Sequence, residues 1–358
     1  MASSIIAVRV PGRRAARRCR HDGAKSPGLS NATIGAVKSA VLVTGGAGFI
    51  GSHLVERLLA EGARVRVLDN FSTGDRANLA FAARHRRRLE IVRGDVRRLD
   101  AVVRAARGAR VIFHQAAMRS VPRSVGDPLG ANENNVTGTL NVLEAARRCR
   151  VRRVVYASSS SVYGARPDLP KREEQPPAPV SPYAVSKVAG EQYARVWAQL
   201  YGVETVGLRY FNVFGPRQDP KSEYAAVIPR FILWALRGRP LEVHGDGTQS
   251  RDFTYIDNVV EANLLAARAP DAAGEVFNVG CGERVTLLAI IATLEAILGR
   301  ALARRHTPPR AGDVPHTLAD VSKAKRLLAY APLVGFDEGF HRTVDHFREA
   351  LTRKGRAG

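Results

Sequence analysis

Hydrophobic residues in this chain arrive in short blocks, separated by glycine turns and by stretches with helical spacing. From Ala40 the order is apolar strand, glycine turn, amphipathic helix, and then the same again. Ala40–Thr44 is an apolar run of the kind a parallel strand needs when both of its faces are covered. Phe49–Ala60 repeats its apolar positions at helical period. Arg64–Leu68, Leu89–Val92, Arg110–His114, Arg153–Ala157 and Thr205–Arg209 read as further strands, with helices between them. Strands that alternate with helices imply a parallel sheet packed on both sides, hence an α/β fold. Beyond Gly215 the pattern loosens and proline and loop residues increase. Thr286–Leu298 is a clear helix there, with a threonine to cap it and Gly299 to stop it. There is no internal repeat.

Composition narrows the picture. A chain of 358 residues forms one large or two modest domains and buries enough surface to need no staple. Its three cysteines, Cys19, Cys149 and Cys281, are too few and too scattered for a disulfide framework or a four-ligand zinc site. They fit a reducing compartment, so a cytoplasmic location and no metal are expected. No apolar run approaches the ~20 residues that span a bilayer. The formal charge of +22 invites a nucleic-acid reading. However, 47 of the 55 basic residues are arginines strewn along the whole chain, a bias that genome composition alone can produce. Stacking platforms and nucleic-acid reading motifs are missing, so no nucleic-acid partner is expected. Residues 1–38 carry +7 of the charge, and their apolar stretch Ser3–Val10 is short and broken by Arg9, unlike a secretory signal. A disordered basic extension outside the fold is expected; a misplaced start codon or an organelle transit peptide are the other readings.

Chemistry enters with the first glycine turn. Thr44-Gly45-Gly46-Ala47-Gly48-Phe49-Ile50-Gly51 follows the first strand and opens the first helix, so Gly46-x-Gly48-x-x-Gly51 is a dinucleotide fingerprint in its required context. Glycines there allow the tight turn and bring a pyrophosphate close to the backbone, and the helix N-terminus offers free N–H groups. Asp69 ends the second strand, at the distance where a carboxylate accepts the ribose hydroxyls of NAD and repels the 2′-phosphate of NADP. NAD is therefore favoured. Asp95, in Gly94-Asp95-Val96, either faces the adenine or simply caps its loop.

The second centre is Ser181-Pro182-Tyr183-Ala184-Val185-Ser186-Lys187. Ser181 reads as a helix cap and Pro182 as the first helical residue. Tyr183 and Lys187 then share one face, four residues apart. A nearby ammonium stabilises a phenolate, and a nicotinium ring would lower its pKa further, so the pair predicts a tyrosine with a lowered pKa acting as a base. Upstream lies Ser158-Ser159-Ser160-Ser161-Val162-Tyr163-Gly164, at a strand end where α/β proteins bind their ligands.

These residues resemble the extended short-chain dehydrogenase/reductase family of nucleotide-sugar enzymes, over nearly all of residues 40–350. The matching pieces are Gly45–Ser52, Asp69-Asn70-Phe71, His114-Gln115-Ala116-Ala117, Ser158–Gly164, Tyr183-x-x-x-Lys187, Arg209–Pro216, Gly245-Asp246-Gly247 with Arg251-Asp252-Phe253, and Arg310-Ala311-Gly312-Asp313. Within the family, Ser120-Val121-Pro122-Arg123-Ser124, Arg217-Gln218-Asp219-Pro220 and Tyr224–Pro229 are similar to the bacterial UDP-N-acetylglucosamine 4-epimerase group.

The resemblance implies a Rossmann doubly wound parallel sheet with a smaller C-terminal α/β substrate-binding domain. The NAD-binding domain is expected over 39–214, with 251–267 returning to it, and the substrate domain over 215–250 and 268–350. It implies that Tyr183 removes the sugar 4-hydroxyl proton while the C4 hydride passes to NAD, and that the keto sugar then turns over and takes the hydride back on its other face. Ser159 would contact the reacting oxygen with Ser160 and Ser161 alongside, and Lys187 would orient the nicotinamide ribose. Gly45, Gly48, Phe49, Ile50, Gly51, Asp69, Asn70, Asp95, Val96, Gln115, Ala116 and Ala117 would line the cofactor.

On the substrate side the resemblance makes Ser120 a substrate-binding residue and assigns Asn212 and the clamping arginines Arg251 and Arg310 to the diphosphate. Asp313 would face the uridine ribose, and Thr317 would be the small residue that leaves room for an N-acetyl group. Related dehydratases and decarboxylases carry an acid after the position of Ser159, whereas this chain has serine at both following places, which favours epimerisation. UDP-glucose and UDP-glucuronate 4-epimerases stay open as alternatives. So does a NAD-binding regulator without catalysis, which intact Ser159, Tyr183 and Lys187 disfavour. A homodimer through two helices per subunit is implied by the resemblance alone.

Overall fold

Alternate residues of each strand face opposite sides of one sheet, and both sides are apolar. The computed structural model describes residues 40–220, 226–308 and 314–355. In β1 (Ala40–Thr44), Val41 and Val43 enter one core layer while Leu42 enters the other. β2 (Val65–Asp69) divides in the same way, Val65 and Val67 from Leu68. β4 (Ala109–His114) sends Phe113 to the first layer and Ile112 to the second. This two-sided burial is why the strands read as apolar runs rather than as alternating patterns.

With β3 (Leu89–Arg93), β5 (Arg153–Ser159), β6 (Glu204–Tyr210) and a seventh strand, Glu275–Val279, these form one sheet. Its order is β3-β2-β1-β4-β5-β6 followed by the seventh strand, and every neighbouring pair is parallel. The fold is thus the doubly wound Rossmann architecture. Its connections reverse direction between β1 and β4, and the crevice at their carboxyl ends is where such sheets bind ligands. Thr44 and His114 stand there side by side in the register.

All the strands expected from the pattern are present, with ends moved by one or two residues. The seventh was not expected. Its run is interrupted by Asn278, which is fully buried and hydrogen-bonded instead of apolar. Helix α1 (Phe49–Ala60) begins and ends where its periodicity predicts. The later helix, Leu287–Leu298, is capped by the Thr286 hydroxyl and stops at Gly299 in a left-handed conformation, as expected.

Beyond β6 the chain makes small two-stranded pairings: Leu241–His244 with Arg304–Thr307, Ser250–Arg251 with Val285–Thr286, and Val213–Phe214 with Thr254–Tyr255. Between them the helix Ile256–Arg268 packs against α1 and the sheet. Arg153, fully buried at the start of β5, donates to the Ala266 and Ala269 carbonyls at that helix's end and pairs with Glu204. Among the described residues no helix is long and apolar enough to cross a membrane. The basic segment 1–38, Arg310 and Asp313 lie outside the described residues.

Candidate active site

The crevice at the sheet's switch point is built first from backbone. Gly45 has φ +69 and sits against the Ala116 main chain, while a Cβ on Gly51 would collide with the Gly45 carbonyl oxygen. Only glycine lets β1 turn into α1 so closely. Gly48 starts α1 without any side-chain cap, so the first-turn N–H groups stay open to an anion. Asp69 closes the other rim. One carboxylate oxygen accepts from Ala47 N at 2.9 Å and the other from Phe71 N at 2.8 Å, which holds the glycine turn against the end of β2.

Gly45, Gly48, Phe49, Ile50, Gly51, Asp69, Asn70, Val96, Gln115, Ala116 and Ala117 all line one cleft, together with Tyr183 and Lys187. Asp95 follows Gly94 and precedes Val96, both on the cleft's lining. Its carboxylate accepts from the Arg97 backbone and guanidinium and from the Asn70 amide, so hydrogen bonding to Arg97 above all brings its pKa down to about 2. Beneath the cleft His114 is fully buried between Thr44 and Thr139. The Thr139 hydroxyl donates to Asn135 O, so Nε2 of His114 must donate to it, and Nδ1 accepts from Thr44. Burial, helped by the Lys187 charge, drops His114 to about 3 and keeps it neutral.

The helix Pro182–Tyr201 carries the polar chemistry. Ser181 caps it by accepting from Ala184 N at 3.2 Å, with Pro182 in the first turn, as the sequence predicts. The Tyr183 backbone N–H donates to Ser124 Oγ at 3.0 Å, tying this helix to the short helix Val121–Gly126 that Ser120 caps. A π-helical turn, Glu133–Thr137, presents Asn135, which bridges the Met118 backbone and the Ser186 hydroxyl. The sequence shows no signal for that turn.

Tyr183 and Lys187 share a face, with the ammonium 5.7 Å from the Tyr183 ring centre. Lys187 Nζ donates to Ala157 O at 2.7 Å at the end of β5. Burial lowers Lys187 to about 8, against the pull of Glu191. The expected lowering of the tyrosine is not seen: burial raises the Tyr183 pKa, and Ser159 and Arg119 only partly oppose this. Desolvation of the phenolate outweighs those contacts.

One residue of the helix Pro182–Tyr201 carries no motif in the sequence. Glu191, four residues beyond Lys187, is buried and takes both Nε (2.9 Å) and Nη2 (2.8 Å) of Arg209 and the Ser158 hydroxyl. Arg209 reaches on to Tyr163 Oη at 2.9 Å, and Tyr163 donates to Asn278 on the seventh strand. A polar network thus runs beneath the serine loop. A carboxyl spaced at i+4 from Lys187 was the available signal.

Ser159 ends β5 and accepts from Ser161 N at 3.2 Å, with Ser160 and Ser161 in the single turn that follows. The remaining described substrate candidates gather from distant parts of the chain. Asn212 Nδ2 donates to Asp252 O at 3.2 Å and to Thr317 Oγ1 at 3.3 Å, and Arg251 Nη1 donates to Pro315 O at 3.0 Å. Asp252 itself is fully buried and accepts from the backbone of Cys281, Gly282 and Ala319.

The family model of the NAD-dependent epimerases and dehydratases matches residues 41–280. The chain belongs to this family. It is 41% identical over 309 residues to the UDP-glucose 4-epimerase of Mycolicibacterium smegmatis, covering 86% of this chain and 98% of that protein. Among solved structures it is similar to a UDP-N-acetylglucosamine 4-epimerase from Methanobrevibacter ruminantium in complex with UDP-N-acetylmuramic acid. That match has TM-score 0.83 and 37% identity, and covers 87% of this chain and 99% of the other. A Thermus thermophilus UDP-glucose 4-epimerase in complex with NAD matches with TM-score 0.79 and 42% identity, covering 87% and 99%. Membership makes NAD the cofactor of this chain's family, and the uncapped helix start with its glycine turn suits a dinucleotide.

Proposed function

We propose that this chain is a NAD-dependent 4-epimerase of a UDP-sugar that interconverts UDP-N-acetylglucosamine and UDP-N-acetylgalactosamine. The observation that carries the reaction type is the single cleft in which a glycine turn, Asp69, Tyr183 and Lys187 meet. Relatives of high identity act on UDP-sugars, which supports that substrate class. The chemistry NAD supplies when bound is reversible hydride exchange with the sugar's C4. Gly45, Gly48, Gly51 and the open first turn of α1 would hold its pyrophosphate, and Asp69 and Asn70 its adenosine ribose.

The chain's own residues handle the proton. Tyr183 would move it to and from the C4 oxygen, and Ser159, which hydrogen-bonds Tyr183, would hold that oxygen. Because burial favours the neutral phenol, the accepting form of Tyr183 depends on positive charge nearby. Arg119 lowers the phenol's pKa through its charge, and Lys187, locked to Ala157 O with its ammonium 5.7 Å from the ring centre, is a second cation beside it. The positions after Ser159 are Ser160 and Ser161, neither of which can serve as the second acid that elimination needs.

Asn212, Arg251, Arg310 and Asp313 would take the UDP portion. Thr317, half-buried beside Asn212, would bound the sugar pocket with a small side chain. The short helices Val121–Gly126 and Pro128–Asn132 pack on the helix Pro182–Tyr201, and together they expose Val125, Leu129, Val185, Val196 and Leu200. Such an apolar face suits a homodimer.

The test is a panel of UDP-sugars given to protein that has been checked for copurified NAD. Interconversion of the N-acetylated pair supports the reading, whereas turnover of UDP-glucose or UDP-glucuronate alone refutes it. Thr317→Tyr should suppress the acetylated substrate selectively; equal loss on all sugars would remove Thr317 from specificity.

A further inference from the structure

The end of β5 is stitched to the helix Pro182–Tyr201 residue by residue. Tyr156 Oη donates to Lys187 O at 3.4 Å, and Lys187 Nζ donates back to Ala157 O at 2.7 Å. The Ser158 hydroxyl donates to Glu191 Oε1, and Ser159 hydrogen-bonds Tyr183. Four consecutive strand residues thus meet Tyr183, Lys187 and Glu191, which are spaced four apart on one helical face. The two elements come this close because Gly190 has no side chain: a Cβ there would stand 2.2 Å from Tyr156 Oη.

The stitch at Ser158 has the firmest base. Glu191 Oε1 also accepts from Arg209 Nε at 2.9 Å, and Oε2 accepts from Nη2 at 2.8 Å, so a guanidinium on β6 clamps the carboxylate. Both partners are buried. Such a pair adds little net stability over apolar residues of the same size, but its forked geometry fixes direction. The Ser158 hydrogen bond to a charged acceptor is also stronger than a neutral one.

Ser158 stands between two groups that face the catalytic helix. The rigid peptide plane on its amino side carries the Ala157 carbonyl that holds the Lys187 ammonium, and Ser159 follows on its carboxyl side. Ser158 lines the cleft, yet its hydroxyl hydrogen is already given to Glu191, so it holds rather than donates.

We infer that Ser158 and Glu191 are positioning residues for the proton step: the carboxylate fixes the Ser158 hydroxyl, and Ser158 sets the Ala157 carbonyl against Lys187 and the Ser159 hydroxyl against Tyr183. Arg209 braces the carboxylate. This rests on the reading of Tyr183, Ser159 and Lys187 as the residues that handle the proton.

Ser158→Ala removes the stitch and leaves the Glu191–Arg209 pair in place. Rates are measured with the UDP-sugar turned over fastest in the panel, and counted per bound NAD so that unfolded protein does not enter. Misplacing reacting groups by about 1 Å costs up to about a hundredfold. The alanine variant should therefore lose about tenfold to a hundredfold in kcat. KM and the calorimetric affinity for UDP should stay within about twofold of the parent. An unchanged kcat overturns the inference, as does a loss that appears in KM alone. Ser158→Cys, nearly isosteric and a weak donor, replaces the alanine variant should that one fail to fold.

A double-mutant cycle with Ser159→Ala separates aiming from a general loosening of the fold. The Ser158→Ala loss should shrink by at least about threefold in the Ser159→Ala background; losses that multiply independently overturn the inference. If Ser159→Ala and Tyr183→Phe each keep the parent's turnover, it is the reading of the proton step that fails.

Discussion

The cofactor cleft and the proposed substrate corner of this protein are assembled in opposite ways. The cleft rests on contiguous motifs: Gly45–Gly51 turns one strand into one helix, Asp69 closes the next strand, and their contacts are largely with backbone. The substrate corner has no such local logic. Asn212, Ser250–Asp252 and Thr317 come from three segments, joined by side-chain and backbone hydrogen bonds that exist only after folding. A site made of turn geometry tolerates little change in its residues. One made of long-range hydrogen bonds loses affinity in steps as single bonds are removed.

Tyr183 lines the cleft, and Tyr183→Phe gives the largest expected effect. Turnover should fall about 10²–10⁴-fold, while NAD content, UDP affinity and melting temperature stay at parental values. Full turnover by this variant would remove Tyr183 from the chemistry. Glu191→Gln acts beneath both regions. Leaving Arg209 buried and unpaired should destabilise the fold by about 3–5 kcal/mol in denaturant titrations. An unchanged midpoint would make the buried pair energetically idle.

The two regions can then be damaged separately. Gly51→Ala forces a methyl into the Gly45 carbonyl; about 1–3 kcal/mol of stability should go, together with bound NAD, measured by absorbance and nucleotide extraction. Asp252→Ala should do the reverse, weakening UDP in calorimetry and leaving the NAD content intact. If both variants lose both ligands, the regions are one cooperative unit.

The smallest effect is a contrast in acid response. His53 on α1 is lowered to about 4, by burial first and then by the Arg217 charge, and His114 to about 3. Both bind fewer protons folded than unfolded as pH falls below their ordinary 6.5, so stability should fall between pH 6.5 and about 4. Burial raises Asp252 to about 6, despite its three backbone donors. Its contribution has the opposite sign: it is complete below the ordinary aspartate range and is lost as pH rises through 6. The two histidines outweigh it. His114→Asn should flatten the melting temperature against pH, and Asp252→Asn should steepen it. Parallel profiles in all three proteins would deny that these groups set the slope.

Much of the cofactor side was legible in the chain because its signals are local. A glycine turn, a strand that ends in Asp69, a capped helix with Tyr183 and Lys187 on one face: each needs fewer than about ten residues to specify, within the reach of a turn or a helical period. The strands were legible because burial on both faces demands apolar runs. The seventh strand was hidden for the converse reason, since Asn278 is buried through hydrogen bonds rather than hydrophobicity.

Other features belong to the folded molecule alone. That Asp95 pairs with Arg97, that Glu191 holds Arg209, and that Thr317 touches Asn212 across 105 positions follow from packing, which no period in the chain encodes. Tyr183 shows the difference most clearly. Its spacing from Lys187 placed both on one helical face, as found, but the direction of its pKa reversed because desolvation depends on everything packed around the ring. Helical spacing is a property of neighbours along the chain; dielectric surroundings are a property of neighbours in space.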